Sequence, residues 1–239
     1  MLLREVVDVS THQRRSLVGS LSCRPASPAC SRRPGLPAPA RPARQIAAGF
    51  GISVGTAQAY VNTVVGHLSR RAPGLLRVLR ETDPEHVLLD GTLAECDRVG
   101  DSRADFSQRH RRHGVNVQVV ADPAGRLLWI SPALPGRTHD LTAARTHRII
   151  RICERQGVPV LADRAYIGAG SWVTTPVRRL PHQLTATQQT INRALSVARA
   201  PVERSVATLK SWRIFRRARC SPNRMSVIAA AVLTLERQR

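Results

Sequence analysis

Val87-Leu88-Leu89-Asp90-Gly91-Thr92 sets the architecture expected of the whole chain. An apolar run closes on a carboxylate and is followed by glycine. A run this short, entered through the turn signal Asp83-Pro84, is expected to be a buried strand that delivers an acid to the edge of a sheet. Val160-Leu161-Ala162-Asp163 repeats the pattern, and Asp140 closes Gly136-Arg137-Thr138-His139-Asp140. Glu203 follows Pro201, which suits a first helical position, so Glu203 falls in a first turn, where the helix dipole favours a carboxylate. Taken singly, each acid has an ordinary reading. Asp before Gly is a common turn pair, and Glu203 can pair with Arg199 or Lys210 on its own helix. Taken together, each opens or closes an expected element.

Residues 86–95 form the first expected strand. Residues 114–120 alternate apolar and polar side chains, as a half-buried strand should. Asp122-Pro123-Ala124-Gly125 is a turn, and Leu127 to Ser131 completes an antiparallel hairpin. Residues 138–155 read as one helix ended by Gly157, and Val158 to Ala162 as a fourth, buried strand. Strand, helix, strand implies a parallel crossover, which makes Asp90 and Asp163 neighbours. Residues 172–177 give a short fifth strand, and residues 185–197, 201–212 and 223–237 read as helices. The class is α/β, with a mixed sheet and flanking helices.

Before the sheet, Gln45 to Val61 reads as helix, turn, helix. Gly51 supplies the tight turn, Phe50 and Ile52 flank it as apolar plugs, and Ser53 is an N-cap. Ala57, Tyr60 and Val61 are expected on the inner face, which turns Thr56, Gln58 and Asn62 outward, where a DNA-reading helix meets the major groove. An ordinary αα-hairpin that touches no DNA gives the same pattern. The second helix runs to about Ser69, and a short amphipathic helix covers Leu75 to Glu81. From Ser20 to Arg44, 20 of 25 residues are Pro, Ser, Ala or Arg, too little apolar surface to offset the entropy of ordering. The expected divisions are a disordered basic arm over 1–44, a helix-turn-helix region over 45–82 and an α/β domain over 83–239. The arm is either a DNA-tracking tail or a solvated segment without a role.

The formal net charge is +21, which argues for a polyanionic partner, and nucleic acid is the common one. Of 37 basic residues only Lys210 is lysine. Aromatic residues are only 3 %, against base-stacking RNA modules. Five cysteines without C-x-x-C spacing argue against a zinc site or a disulfide framework, and for reduced thiols in the cytoplasm. No apolar run is long enough to span a bilayer, and the N-terminus does not read as a signal peptide.

Phosphodiester cleavage needs charge neutralised on both the attacking and the leaving oxygen. Two Mg²⁺ or Mn²⁺ ions roughly 4 Å apart do this, and hard cations take carboxylate oxygens. Asp90, Asp140, Asp163 and Glu203 are therefore the candidate metal ligands, with Lys210 one helix face along from Glu203 and in reach of a phosphate. Arg109, Arg111 and Arg112, in Arg109-His110-Arg111-Arg112-His113, either hold phosphates or form a solvated loop.

These residues resemble the DDE transposases of bacterial insertion sequences, in the branch related to Harbinger-type nucleases. The resemblance lies in Leu89-Asp90-Gly91-Thr92, Gly136 to Asp140, Ala162-Asp163-Arg164-Ala165-Tyr166-Ile167-Gly168, and Arg199-Ala200-Pro201-Val202-Glu203 with Lys210 following. The last block is similar to that group's Tyr-x2-Arg-x3-Glu-x6-Lys signature, with Ser196 in the tyrosine position; Ala165 stands where relatives often have glycine. The resemblance spans roughly residues 45–239. It implies an RNase H-like fold, Mg²⁺ dependence, and Asp90, Asp163 and Glu203 as a catalytic triad, with Asp140 an additional metal ligand. It implies cutting and joining at inverted-repeat ends, with Arg199 and Lys210 on DNA, by an oligomer on double-stranded DNA in a bacterial cytoplasm, at the nucleoid, with no membrane. Relatives usually begin with ordered helices, so residues 1–44 are expected to be frameshifted or rearranged sequence. The alternative is an inactive remnant that only binds DNA.

Overall fold

Asp83 ends a helix and Val87 begins a strand, as the apolar run and its turn signal require. The computed structural model describes residues 42–97, 103–178 and 184–239. The expected arm lies almost wholly outside them; its last residues, 42–44, instead begin the first helix. The chain divides into two compact units, Met1–Val64 and Val65–Arg239.

In the first unit, α1 (Pro42–Phe50) and the beginning of α2 (Val54–Ser69) flank a turn at Gly51. Gly51 has φ +62°, the left-handed region that glycine enters without a Cβ penalty. The Ser53 hydroxyl accepts from the Thr56 amide at 3.0 Å and caps α2. Ala47 and Ala57 are buried. Two expectations fail here: Phe50 is 74 % exposed and Tyr60 62 % exposed, so neither plugs the turn nor lines an inner face. Thr56, Gln58 and Asn62 are exposed, with Gln58 donating to Asn62 at 2.9 Å.

The second unit holds α3 (Leu75–Thr82) and a sheet of β1 (Val87–Glu95), β2 (Phe106–Ser107), β3 (Arg112–Ala121), β4 (Leu127–Ile130), β5 (Leu134–Pro135), β6 (Val160–Ala162) and β7 (Val173–Thr174). Its order is β2-β3-β1-β6-β7, with β4 and β5 also pairing with β3. β1 pairs antiparallel with β3 and parallel with β6, and β6 pairs parallel with β7. The sheet is therefore mixed, with the expected hairpin on one side of β1 and the expected crossover on the other. Asp122 makes the hairpin turn, its carboxylate accepting from the Arg126 amide at 2.8 Å.

The helix expected over 138–155 is two, α4 (Asp140–Thr146) and α5 (Ile149–Arg155), broken where Arg148 takes φ 55°. α6 (Ala186–Arg199) opens on a capping box of Thr185 and Gln188. α7 (Val202–Ser211) is followed by the short α8 (Arg213–Arg216) and by α9 (Met225–Glu236). α7 packs on β1, β3 and β4, and α4 packs on β3. Val202 joins Leu88 and Ala121 in one buried cluster, which fixes the start of α7 over the strand that carries Asp90. β3 is not half-buried as expected: from Gly114 to Ala121 both faces are covered, including Asn116 and Gln118. Among the described residues no helix is long and apolar enough to cross a membrane.

Candidate active site

Parallel register builds the centre of the site. Leu89 on β1 pairs with Ala162 on β6, so the next positions along, Asp90 and Asp163, stand on neighbouring strands. Strands lie about 4.8 Å apart, so two carboxylates meet where water is scarce. Burial, and then the charge of Asp163, raise the Asp90 carboxyl to about 6; the Gly91 amide and Arg199 pull the other way, and Asp140 adds a smaller rise. The Gly91 amide donates to Asp90 Oδ1 at 2.9 Å. Asp163 leaves β6 extended and caps a 3₁₀ turn, Arg164–Tyr166, accepting from the Ala165 amide at 2.8 Å.

Asp140 reaches this centre from the other side of the sheet. Side chains alternate along a strand. Leu88 and Asp90 share the face under α7, and Gly91 opens to the opposite one. There the Asp140 carboxylate fills the place that a Cβ on Gly91 would occupy. Its Oδ1 accepts from Asn116 Nδ2 at 2.8 Å and from Gln118 Nε2 at 3.4 Å, and its Oδ2 from Arg109 at 2.8 Å. Gln118 also donates to Asn116 Oδ1 at 2.7 Å and accepts from the Tyr166 hydroxyl at 2.6 Å. Burial, and after it the nearby aspartates, hold the Tyr166 phenol well above its usual range, so it stays an O–H donor. Asp140, Asp163 and Arg109 line one cleft of about 680 Å³.

Glu203 lies in the first turn of α7, on a helix laid across β1, but it is exposed. Among the described residues no group of three or more His, Cys, Asp or Glu side chains is arranged to hold one ion. The sequence-predicted acids thus come together in part: Asp90 beside Asp163, Asp140 across the sheet, and Glu203 exposed in the first turn of α7. Arg199 ends α6; its charge acts on Asp90 and Tyr166, and its Nε is buried without a hydrogen-bond partner among the described residues. Lys210 acts on His110, which burial, and then Arg109, hold below the ordinary imidazole range. In the basic cluster Arg112 pairs with Glu95, and Arg111 turns the chain with φ 52°.

The profile of the DDE superfamily endonucleases matches residues 89–237, more than half of the chain. The chain belongs to that family. It is a DDE transposase-like protein, and its mixed sheet with flanking helices is compatible with a DDE nuclease fold. No curated protein and no solved structure matches it.

Nucleases of the DDE superfamily generally use divalent metal. The donors here fit such an ion. Asp90 and Asp163 offer carboxylate oxygens, and the charge of Asp163 opposes that of Asp90; Mg²⁺ is usually held by one or two carboxylates, with water and substrate phosphate completing its shell. Asn116, Gln118 and Tyr166 are the site residues that sequence reading misses. Two polar residues at i and i+2 in a strand look the same whether they face water or a carboxylate. The signal that separates them is an acid placed to answer them, and Asp140 comes from 22 residues beyond Gln118.

Proposed function

We propose that this endonuclease is a transposase that cuts DNA at insertion-sequence ends and joins the freed strand to a target, with residues 83–239 an RNase H-like catalytic domain of the Harbinger-related branch. The observation that carries the reading is the β1–β6 register, which sets Asp90 against Asp163; burial, and then the charge of Asp163, raise the Asp90 carboxyl to about 6. Two like charges held together in a partly buried site are stable only with a cation or a proton. When bound, Mg²⁺ or Mn²⁺, as a pair of ions, supplies Lewis-acid stabilisation to the attacking and leaving oxygens of the phosphodiester. Asp90, Asp163 and Glu203 are the ligands. Arg199, Lys210, Arg111 and Arg112 face the DNA backbone, and Thr56, Gln58 and Asn62, from a helix-turn-helix over 45–82, read the inverted-repeat ends. The protein works as a homo-oligomer on paired ends, at the nucleoid of a bacterial cytoplasm.

A second reading has its own support. Glu203 is exposed, and a chain whose third acid stays out of the centre binds DNA without cutting it. One assay separates the two. Wild type, Asp90→Ala and Glu203→Ala are incubated with DNA carrying the flanking inverted repeats, with and without Mg²⁺. Metal-dependent cleavage by wild type alone, followed by joined products, is the expected result. Salt-sensitive binding with no cleavage by any of the three would establish the binding-only protein.

A further inference from the structure

The Arg109–Asp140 pair is built unlike a surface ion pair. Arg109 stands in the loop between β2 and β3, its side chain 61 % exposed, whereas the Asp140 side chain is only 12 % exposed. The buried partner is the carboxylate, held by protein donors on its inner side, and the exposed partner is the guanidinium, held among the described residues only by that carboxylate. Behind Asp140 runs a chain of hydrogen bonds with one polarity: Tyr166 to Gln118, Gln118 to Asn116, Asn116 to Asp140. The Asn116 amide also donates to the Thr138 carbonyl at 3.0 Å, which fixes which way it points. Every member of the chain is buried or nearly so. Gly91 leaves the space in which the carboxylate sits. A carboxylate offers about four lone-pair sites, and three here are taken by donors. The site approaches β1 from the face opposite Asp90.

We infer that Asp140 is a positioning residue that aims the Arg109 guanidinium into the cleft for a DNA phosphate, and is not a metal ligand. The inference rests on the DNA reading proposed above. It separates two jobs that the sequence pattern merges: Asp163, on the wall of the same cleft, serves the metal, and Asp140 orders an arginine beside it. A guanidinium held by one carboxylate keeps its other N–H donors in a fixed fork, and loop ordering is settled before DNA arrives.

The test uses the full chain. Wild type, Asp140→Asn, Arg109→Gln and the double variant are titrated with a random-sequence duplex across a range of KCl. Separately, each is titrated with Mn²⁺ alone and read by electron paramagnetic resonance. In Asp140→Asn the side-chain amide can accept from only one side, so either Asn116 or Arg109 faces another donor. The expected result is unchanged Mn²⁺ affinity in all four proteins. The slope of log affinity against log salt shrinks by about one in Asp140→Asn. Arg109→Gln shows the same loss and the double variant no more, as two residues sharing one interaction require. A purely structural role would lower the melting temperature without this split. Loss of Mn²⁺ binding in Asp140→Asn, or a wild-type salt slope, overturns the inference. If Asp140→Asn does not fold, Asn116→Ser removes the donor to Oδ1, and the same two readouts decide. Wild type that binds neither Mn²⁺ nor duplex refutes the DNA reading itself, and this inference with it.

Discussion

Asp90 carries the electrostatic tension of the site. An aspartate in an unfolded chain titrates near 4; burial, and next Asp163, hold this one at about 6. A carboxyl raised on folding stabilises the fold fully below the unfolded value, and that contribution disappears as pH rises through the folded value. At pH 8 without metal the ionised Asp90 therefore opposes folding. Asp90→Asn keeps the shape and removes the charge. In EDTA the variant should be more stable than wild type at pH 8 by on the order of 2–3 kcal/mol, with the gain gone at pH 4. Mn²⁺ should raise the melting temperature of wild type and not of the variant, because only wild type gains binding energy in the folded state. Thermal unfolding at pH 4, 6 and 8 checks both; equal melting temperatures at every pH would show that Asp90 is not strained by its neighbours. At this scale Asp90 and Asp163 were legible because two apolar runs ending on acids align once their strands are parallel. Tyr166 and Gln118 were not, since a hydroxyl or an amide in a run of sequence carries no mark of the carboxylate it supports.

Elements fall where their periodicity and caps put them, and depart where a distant contact decides. Nothing local breaks the helix after Thr146; Arg148 takes φ 55° with neither glycine nor proline beside it. His147 is turned in against Trp129, ring centres 6.5 Å apart, so a contact across 18 residues of sequence, 129 to 147, overrides local propensity. The turn between β3 and β4 shows the opposite, a local signal with a distant purpose. Gly125 has φ +79°, and a Cβ there would run into the Pro201 carbonyl at the entry to α7. The Ser205 hydroxyl donates to the Gly125 carbonyl at 2.7 Å, and Arg204 donates to the Ala124 carbonyl at 2.7 Å. The hairpin turn therefore sets where α7 begins, and with it Glu203. Gly125→Ala should lose about 1–3 kcal/mol for the strained backbone alone. Its Mg²⁺-dependent cleavage should also fall at temperatures where circular dichroism shows the variant still folded. Lower stability with full cleavage would mean that the turn at Gly125 does not set the position of Glu203.

At the scale of the whole molecule, charge and recognition are separate properties. A net charge of +21 attracts any duplex, and attraction of that kind carries no sequence information. The first unit carries the residues that could. Its turn and cap were legible in Gly51 and Ser53, because backbone φ and a capping hydroxyl are local demands. The exposure of Phe50 and Tyr60 was not, because what covers an apolar side chain is decided by the rest of the fold. Thr56, Gln58 and Asn62 are uncharged, so replacing all three with alanine in the full chain leaves the electrostatic attraction intact. Affinity for a random duplex and its salt slope should match wild type. Preference for inverted-repeat ends over random duplex should fall about tenfold or more, each lost base contact being worth about 1–3 kcal/mol. Mg²⁺-dependent nicking of random DNA should persist, since Asp90 and Asp163 belong to the other unit. Competition binding with labelled ends against random duplex measures the preference directly. A triple variant that keeps it would assign end recognition to the α/β unit, and the first unit would then be an αα-hairpin that touches no DNA.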